Sequence, residues 1–379
     1  MCNGTNISDC QAHSLDNIIA QSGTNENKSH NVNVILGSRN DKKKVVNRQK
    51  RKYLSYHLSS RMINYLKDLR LYRFTNDVIV AHIPQKELKR DLNSFWNMFY
   101  CSQTMTVANG KITGNYCKNK LCLVCSSIKG QKLYHRYSDY FNQFDQNELR
   151  FVTLTLESVR SFELRDRIKL MQKVFKQIHR TFKKRHERGQ MDKFIGLRKV
   201  EANFNDKDLT YNPHFHCLVV GIDNANELVK EWQKRIAKLG IKIRVSAQEV
   251  KRVSDRGNHY KELFKYLTKI VTTVGGKSKN GKSDKSIYLS STLNIFNAFY
   301  RIRTYERYGF NLPEEKESAD LKNEYDIQIE SLDYMQSVGH FHWRRIENDW
   351  LNDETNELLS KEQIPDTFKT LVATIKQTV

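Results

Sequence analysis

Two short segments hold the residues of this chain best equipped for chemistry: Tyr211-Asn-Pro-His214-Phe-His216 and Glu262-Leu-Phe-Lys-Tyr266-Leu-Thr-Lys269. On a strand, alternate side chains share a face, so His214 and His216 point the same way with Cα atoms about 7 Å apart. Two imidazoles so placed converge on one ion. A carboxylate from a neighbouring strand makes a third ligand and leaves positions open for water and phosphate. Glu201, late on the strand expected just before the pair, is the candidate for that carboxylate. Glu262, Tyr266 and Lys269 fall on one helix face, at steps of four and three. A tyrosine hydroxyl with its ordinary pKa of about 10 is a poor nucleophile. A metal that polarises phosphate, with a base and a cation nearby, makes its attack feasible. The combination points to metal-assisted cleavage of a phosphodiester by Tyr266, with a phosphotyrosine ester as the product. Glu262 then serves as general base and Lys269 neutralises phosphate charge.

Each feature alone is weak. The chain has 12 histidines, and a second His-x-His occurs at His340 and His342. That copy is expected to lack a neighbouring strand pair and a downstream Glu/Tyr helix, and it reads as a structural or surface feature. Context separates the two copies. Phe151-Val-Thr-Leu-Thr-Leu156 reads as a strand. Leu164, Ile168, Met171, Phe175, Ile178 and Phe182 then recur at helical spacing, and Gly189 suits the end of that helix. Residues 194–204 and 214–221 are strand candidates. A helix over 224–239 is closed by Gly240, residues 241–250 alternate like a strand, and 260–270 form a further helix. The order β-α-β-β-α-β predicts an α+β fold: a ferredoxin-like antiparallel sheet with helices on one face and a site on the other. The catalytic Tyr helix follows it.

A third cluster precedes this unit. Cys117-Lys-Asn-Lys-Leu-Cys122-Leu-Val-Cys125, with Cys101 upstream, supplies four thiolates for a closed tetrahedral Zn²⁺ site. His135 is the alternative to Cys101, and iron–sulfur ligation is the alternative metal chemistry. Lys118 and Lys120, between the cysteines, suit a phosphate-facing knuckle. Cys2, Cys10 and Cys217 stand outside the cluster.

Taken together, these segments resemble the replication initiators of small rolling-circle bacterial plasmids, within the wider His-hydrophobic-His (HUH) endonucleases. The resemblance covers roughly residues 50–310. Phe151–Leu156 corresponds to the first motif, Asn212-Pro-His-Phe-His216 to the second and Glu262 to Lys269 to the third. It implies that Tyr266 cuts one strand at a plasmid origin and stays on the 5′-phosphate, while the exposed 3′-hydroxyl primes synthesis. It assigns the terminating cleavage to Glu262. It also implies a cysteine-rich element at this place, with host helicase and polymerase as partners. Conjugative relaxases place the tyrosine before the histidines. Small single-tyrosine transposases share the present order but are shorter and lack the cysteines. The competing readings are a transposase-type nickase and a non-catalytic, zinc-containing DNA-binding regulator.

Composition agrees with a nucleic-acid partner. The formal charge is +22 over 379 residues; residues 311–379 carry 15 acidic and 7 basic side chains, so residues 1–310 hold +30. A cationic body of that size favours a polyanion through counterion release. Besides Lys118 and Lys120, the cations expected to touch DNA are Lys42, Lys43 and Lys44, in a basic arm over 38–52, and Lys265 beside Tyr266. The catalytic ion is expected to be Mn²⁺ or Mg²⁺. Four regions are expected: a disordered tail with the basic arm (1–52), a helical segment with the cysteines (53–145), the catalytic unit (146–310) and an acidic tail (311–379). A helix is read over 53–70, a Gly/Ser/Lys-rich loop over 275–286 and helical segments around 290–300. No apolar run reaches the ~18–20 residues of a membrane span. The start of the chain lacks signal-peptide features, so a cytoplasmic protein is expected, with a second copy of itself among its candidate partners.

Overall fold

The computed structural model describes residues 39–75, 84–108, 111–253, 273–274, 286–312, 327–328 and 339–377. The chain enters through two helices, α1 (Arg39–Thr75) and α2 (Gln85–Phe99). Val45, Arg48, Gln49 and Lys52 lie at helical spacing and are buried. The Lys52 ammonium donates to the carbonyls of Phe99 (2.9 Å) and Cys101 (2.7 Å). From Arg39, the expected basic arm is therefore helix, with an inward stripe that its high charge hides. Residues 1–37, expected to be disordered, lie outside the described residues. Next come a hairpin, β1 (Thr104–Ala108) and β2 (Lys111–Gly114), and helix α3 (Leu123–Phe141).

The second unit runs β3 (Leu149–Thr155), α4 (Ser161–Glu187), β4 (Gly196–Asn205), β5 (Thr210–Val220), α5 (Ile222–Lys238) and β6 (Glu249–Arg252). The expected helix stripe is the buried face of α4, joined by Val174. Gly189 (φ +67°) and Gly240 (φ +68°) adopt the left-handed conformation that ends α4 and α5. After the two-stranded β7 and β8 region (Thr273–Val274 and Ser286–Tyr288), α6 (Leu289–Ala298) leads to β9 (Tyr305–Tyr308). The sheet order is β6-β3-β5-β4-β9, with every neighbouring pair antiparallel. Val152, Leu154, Val200, Phe215 and Cys217 pack on α4 and α5; Phe215 meets Phe175 and Trp232 at ring centroids of 5.6 and 5.7 Å. On the opposite face, Phe151, Leu197, Leu218 and Tyr305 pack against Tyr137 and Phe141 of α3. That apolar cluster leaves the Thr155 end of the face to polar side chains.

The expected strand over 241–250 is mostly not one. Residues 245–247 form a 3-10 turn, and pairing with β3 begins only at Glu249. The Gln248 side chain accepts from Thr155 N (2.9 Å) and donates to Thr155 O (3.1 Å). A side-chain amide thus replaces the backbone ladder there.

The expected acidic tail folds back onto the start of the chain. It supplies β10 (Ile327–Gln328), β11 (Gly339–Arg344), β12 (Asp349–Asn352), α7 (Asp366–Ala373) and β13 (Ile375–Lys376). A second sheet runs β10-β2-β1-β11-β12, and β13 pairs parallel with β8. Trp350 is fully buried and its indole donates to Ser102 O (2.8 Å). Alternation on β11 and β12 puts Phe341, Trp343 and Trp350 inward, a signal that averaging charge over the segment conceals. His340 and His342 therefore do sit on a paired strand, opposite Thr106 and Thr104. His340 is exposed, and His342 bonds Asp353.

Candidate functional site: a carboxylate and two imidazoles on a sheet face

Register brings Glu201 directly opposite His214, and Lys199 opposite His216. On the other side of β5, Thr155 lies opposite His214 and Thr153 opposite His216. Pro213 is tolerated in this interior strand because it lies one residue beyond the last β3 pair. Tyr211 N, on the same side of β5, is already reaching past it to Val159 O (2.8 Å).

The Nε2 atoms of His214 and His216 lie 3.6 and 3.9 Å from Glu201 Oε2. One ligand atom from each residue falls within 4.8 Å of the others. The His214 Nδ1 lies 3.1 Å from the Asn212 carbonyl, which only accepts, so Nδ1 is the donor there and Nε2 is the nitrogen turned toward the cluster. His216 is held by Thr153 Oγ1 at 3.4 Å and by stacking on Phe151, with centroids 5.2 Å apart. The Asn212 side chain accepts from Thr155 Oγ1 (3.0 Å). Each ring is thus oriented by a neighbour that is not a ligand, an arrangement typical of metal-binding histidines. Among the described residues, these three and the cysteine cluster are the groups able to hold a metal ion.

Sequence reasoning missed Lys199. It sits two residues before Glu201 on β4, so strand alternation alone would have put the two on one face. Its buried ammonium forms an ion pair with Glu201. Burial pushes the Glu201 carboxyl up, yet Lys199 and the two imidazoles outweigh that and hold it far below the usual range. Tyr305 of β9, also unforeseen, is buried opposite Lys199, and burial together with the Glu201 charge pushes its phenol well up.

All four expected cysteines converge. Sγ separations are 3.4 Å for Cys101–Cys125, 3.5 Å for Cys101–Cys122 and 3.7 Å for Cys117–Cys125. A tetrahedron of sulfurs with metal bonds of about 2.3 Å has edges of about 3.8 Å, close to these values. The S–S bond of a disulfide, about 2.05 Å, is far shorter. Cys101 Sγ accepts from Cys117 N (3.5 Å) and Cys117 Sγ from Asn119 N (3.4 Å). Lys118 takes φ +55° in that turn. Cys122 caps α3 and Cys125 lies in its first turn, where the positive end of the helix favours thiolate. Burial lowers the neighbouring Lys52 to about 8 against the opposing pull of Cys101, Cys122 and Cys117. His135 is exposed and outside the cluster.

The expected DNA-contacting lysines divide. Lys42, Lys43 and Lys118 are exposed, and Lys44 is half-buried. Lys120 points inward, donating to the carbonyls of Phe299 and Ile302 at 2.9 Å each. Burial, with Lys129 and Arg165 nearby, lowers it to about 8. Lys120→Ala should therefore leave DNA affinity unchanged and cost about 1–3 kcal/mol, because two carbonyls lose their donor. Urea unfolding beside a DNA titration separates the two effects. Glu262, Lys265, Tyr266 and Lys269, and residues 275–285 of the loop expected over 275–286, lie outside the described residues; Ser286 begins β8.

The fold and site define an α+β protein with a candidate metal centre on the polar end of one sheet face and a second, four-sulfur centre in the preceding element. The chain belongs to the replication protein family (Rep_1), whose model matches residues 111–350. It is 34% identical over 138 residues to a "Protein rep" of Staphylococcus aureus, covering 36% of this chain and 57% of that protein. It is 30% identical over 110 residues to a "Protein rep" of Streptococcus pneumoniae serotype 2, covering 28% of this chain and 32% of that one. The matches thus span less than two thirds of either relative. No solved structure matches the chain. Among the described residues, no helix is long and apolar enough to cross a membrane.

Proposed function

We propose that this chain initiates rolling-circle replication of a plasmid by cutting one strand of its origin DNA, with Tyr266 as covalent nucleophile. The observation that carries this reading is the convergence of His214 Nε2, His216 Nε2 and Glu201 Oε2 at the polar end of one face of the β6-β3-β5-β4-β9 sheet. The order β6-β3-β5-β4, with α4 and α5 on one face, supports a ferredoxin-like reading of a catalytic unit over 146–310. Membership in the replication protein family supports the initiator role.

A divalent cation held by Glu201, His214 and His216, Mn²⁺ more readily than Mg²⁺ given the mixed ligands, would draw charge from the scissile phosphate. Asn212 and Thr153 hold the imidazoles in place, and Lys199 keeps the buried carboxylate ionised. The Tyr266 oxygen attacks phosphorus and the bond to the 3′-oxygen breaks. Tyr266 retains the 5′-phosphate as an ester, and the proton lost by the phenol is balanced by the one gained at the departing 3′-hydroxyl. Glu262 later activates the nucleophile of the terminating cleavage, and Lys269 and Lys265 offset phosphate charge. Tyr305 is an unsuitable nucleophile, since burial and Glu201 raise its phenol. The four cysteines hold a structural Zn²⁺. The same reading puts the work in the cytoplasm, alongside host helicase and polymerase, with self-association as a further element.

Incubation with labelled single-stranded origin oligonucleotide and Mn²⁺ should yield a covalent protein–DNA band. Tyr266→Phe should abolish that band, and Tyr305→Phe should retain it. An adduct persisting in Tyr266→Phe would overturn the nucleophile assignment.

A further inference from the structure

The turn between β11 and β12 carries residues for which the cleavage chemistry has no use. Arg344, Arg345, Ile346 and Glu347 are all exposed there, Ile346 by 86%. A single exposed aliphatic residue is ordinary. This one differs in how firmly its turn is held. Trp343 and Trp350 pair across the strands, with centroids 4.8 Å apart. The buried Asp349 carboxylate accepts from Ser360 N (3.0 Å), Ser360 Oγ (2.8 Å) and Lys361 N (3.0 Å). Gln49 of α1 donates to Asn348 O at 2.9 Å. With both ends of the turn pinned, Ile346 has no freedom to fold back onto apolar surface.

Two exposed arginines, Arg344 and Arg345, precede it. Arg344 lies 3.6 Å from Glu347, the one carboxylate within the turn. Arg345 lies over the rings of Phe99 and Tyr56, at 5.3 and 5.8 Å, and remains exposed. The Gln49 contact also brings α1 alongside.

We propose that this hairpin is a wedge for double-stranded DNA. Ile346 enters a groove against a base step, and Arg344 and Arg345 take the flanking phosphates. Proteins that bend or open a duplex insert an aliphatic side chain between base steps and hold the backbone with arginine and lysine on either side. The inference rests on the reading of DNA as this chain's substrate and adds a duplex-gripping surface apart from the histidine face. An enzyme that cuts a single strand gains from a rigid element that unstacks the duplex nearby.

The test uses the full chain with a duplex of about 30 base pairs and the matching single strand, followed by anisotropy across a salt series. Ile346→Ser should weaken duplex binding about tenfold and leave single-strand binding unchanged, as expected for loss of one intercalating contact. Arg344→Ala should lower the duplex salt slope by about 1. A 2-aminopurine in the duplex should brighten with the unmodified chain and not with Ile346→Ser. Both positions are exposed, so unchanged thermal melting checks that the variants fold. Wild-type duplex affinity in both variants, or equal losses on duplex and single strand, would overturn the wedge. Failure of the catalytic reading looks different: the unmodified chain would leave single-stranded origin DNA uncut while the duplex pattern persisted.

Discussion

The double variant His214→Ala/His216→Ala should lose origin cleavage by on the order of 10³-fold or more while remaining folded. The size follows from several kcal/mol of charge stabilisation at the phosphate, each 1.4 kcal/mol being a factor of ten. The expectation of an intact fold is specific to this site. The imidazoles converge on a carboxylate that already has a buried cationic partner in Lys199, so removing them leaves no buried charge uncompensated. Glu201→Ala is a poorer probe. It strands the Lys199 ammonium, which is 1% exposed. Breaking a buried pair from one side costs about 3–5 kcal/mol, a large fraction of the stability of a typical domain. Its loss of activity would therefore mix chemistry with unfolding. Circular dichroism with adduct yield distinguishes the two variants.

The second large effect concerns the four-sulfur cluster. Cys122→Ser, or prolonged treatment with a strong zinc chelator, should unfold the α1–α3 element together with the β10-β2-β1-β11-β12 sheet. A structural zinc contributes about 10–16 kcal/mol to folding, against a total of about 5–15 kcal/mol for a typical domain. The cluster joins the end of α2 to the start of α3 and brackets the β1–β2 hairpin, on which β11 and β12 depend for pairing. Loss of the cluster should therefore release the C-terminal segment as well. Protease cleavage within residues 339–377, appearing on chelation, would report that release. A chelated chain with unchanged melting and protease resistance would remove the metal from the account of stability.

How far the fold could be read in advance depended on whether one local rule governed each element. The α4 stripe and the strands around His214 follow from 3.6- and 2-residue periodicity, and both appear nearly as read. The Glu201–His214–His216 and four-cysteine groupings were legible because residue type and spacing restrict where ligands can meet. Residues 241–250 misled because Ile241 and Ile243 pack on the core without pairing, while Gln248 supplies the hydrogen bonds of a ladder from its side chain. Charge misled twice. The basic segment before Lys52 hides an inward stripe within a helix, and the acidic C-terminal segment hides three inward aromatics on two strands. Lys199 was legible from alternation. Tyr305 was not, because the pairing of β9 with β4 spans about a hundred residues and no local pattern encodes it.

The proposed cleavage depends on a single ion site formed by Glu201, His214 and His216. Electron paramagnetic resonance of Mn²⁺ titrated into the zinc-loaded chain tests it most directly. One tightly bound Mn²⁺ per chain is expected, and it should be lost in His214→Ala/His216→Ala in parallel with adduct formation. Undiminished Mn²⁺ binding in that variant, or full cleavage activity without it, would contradict the account.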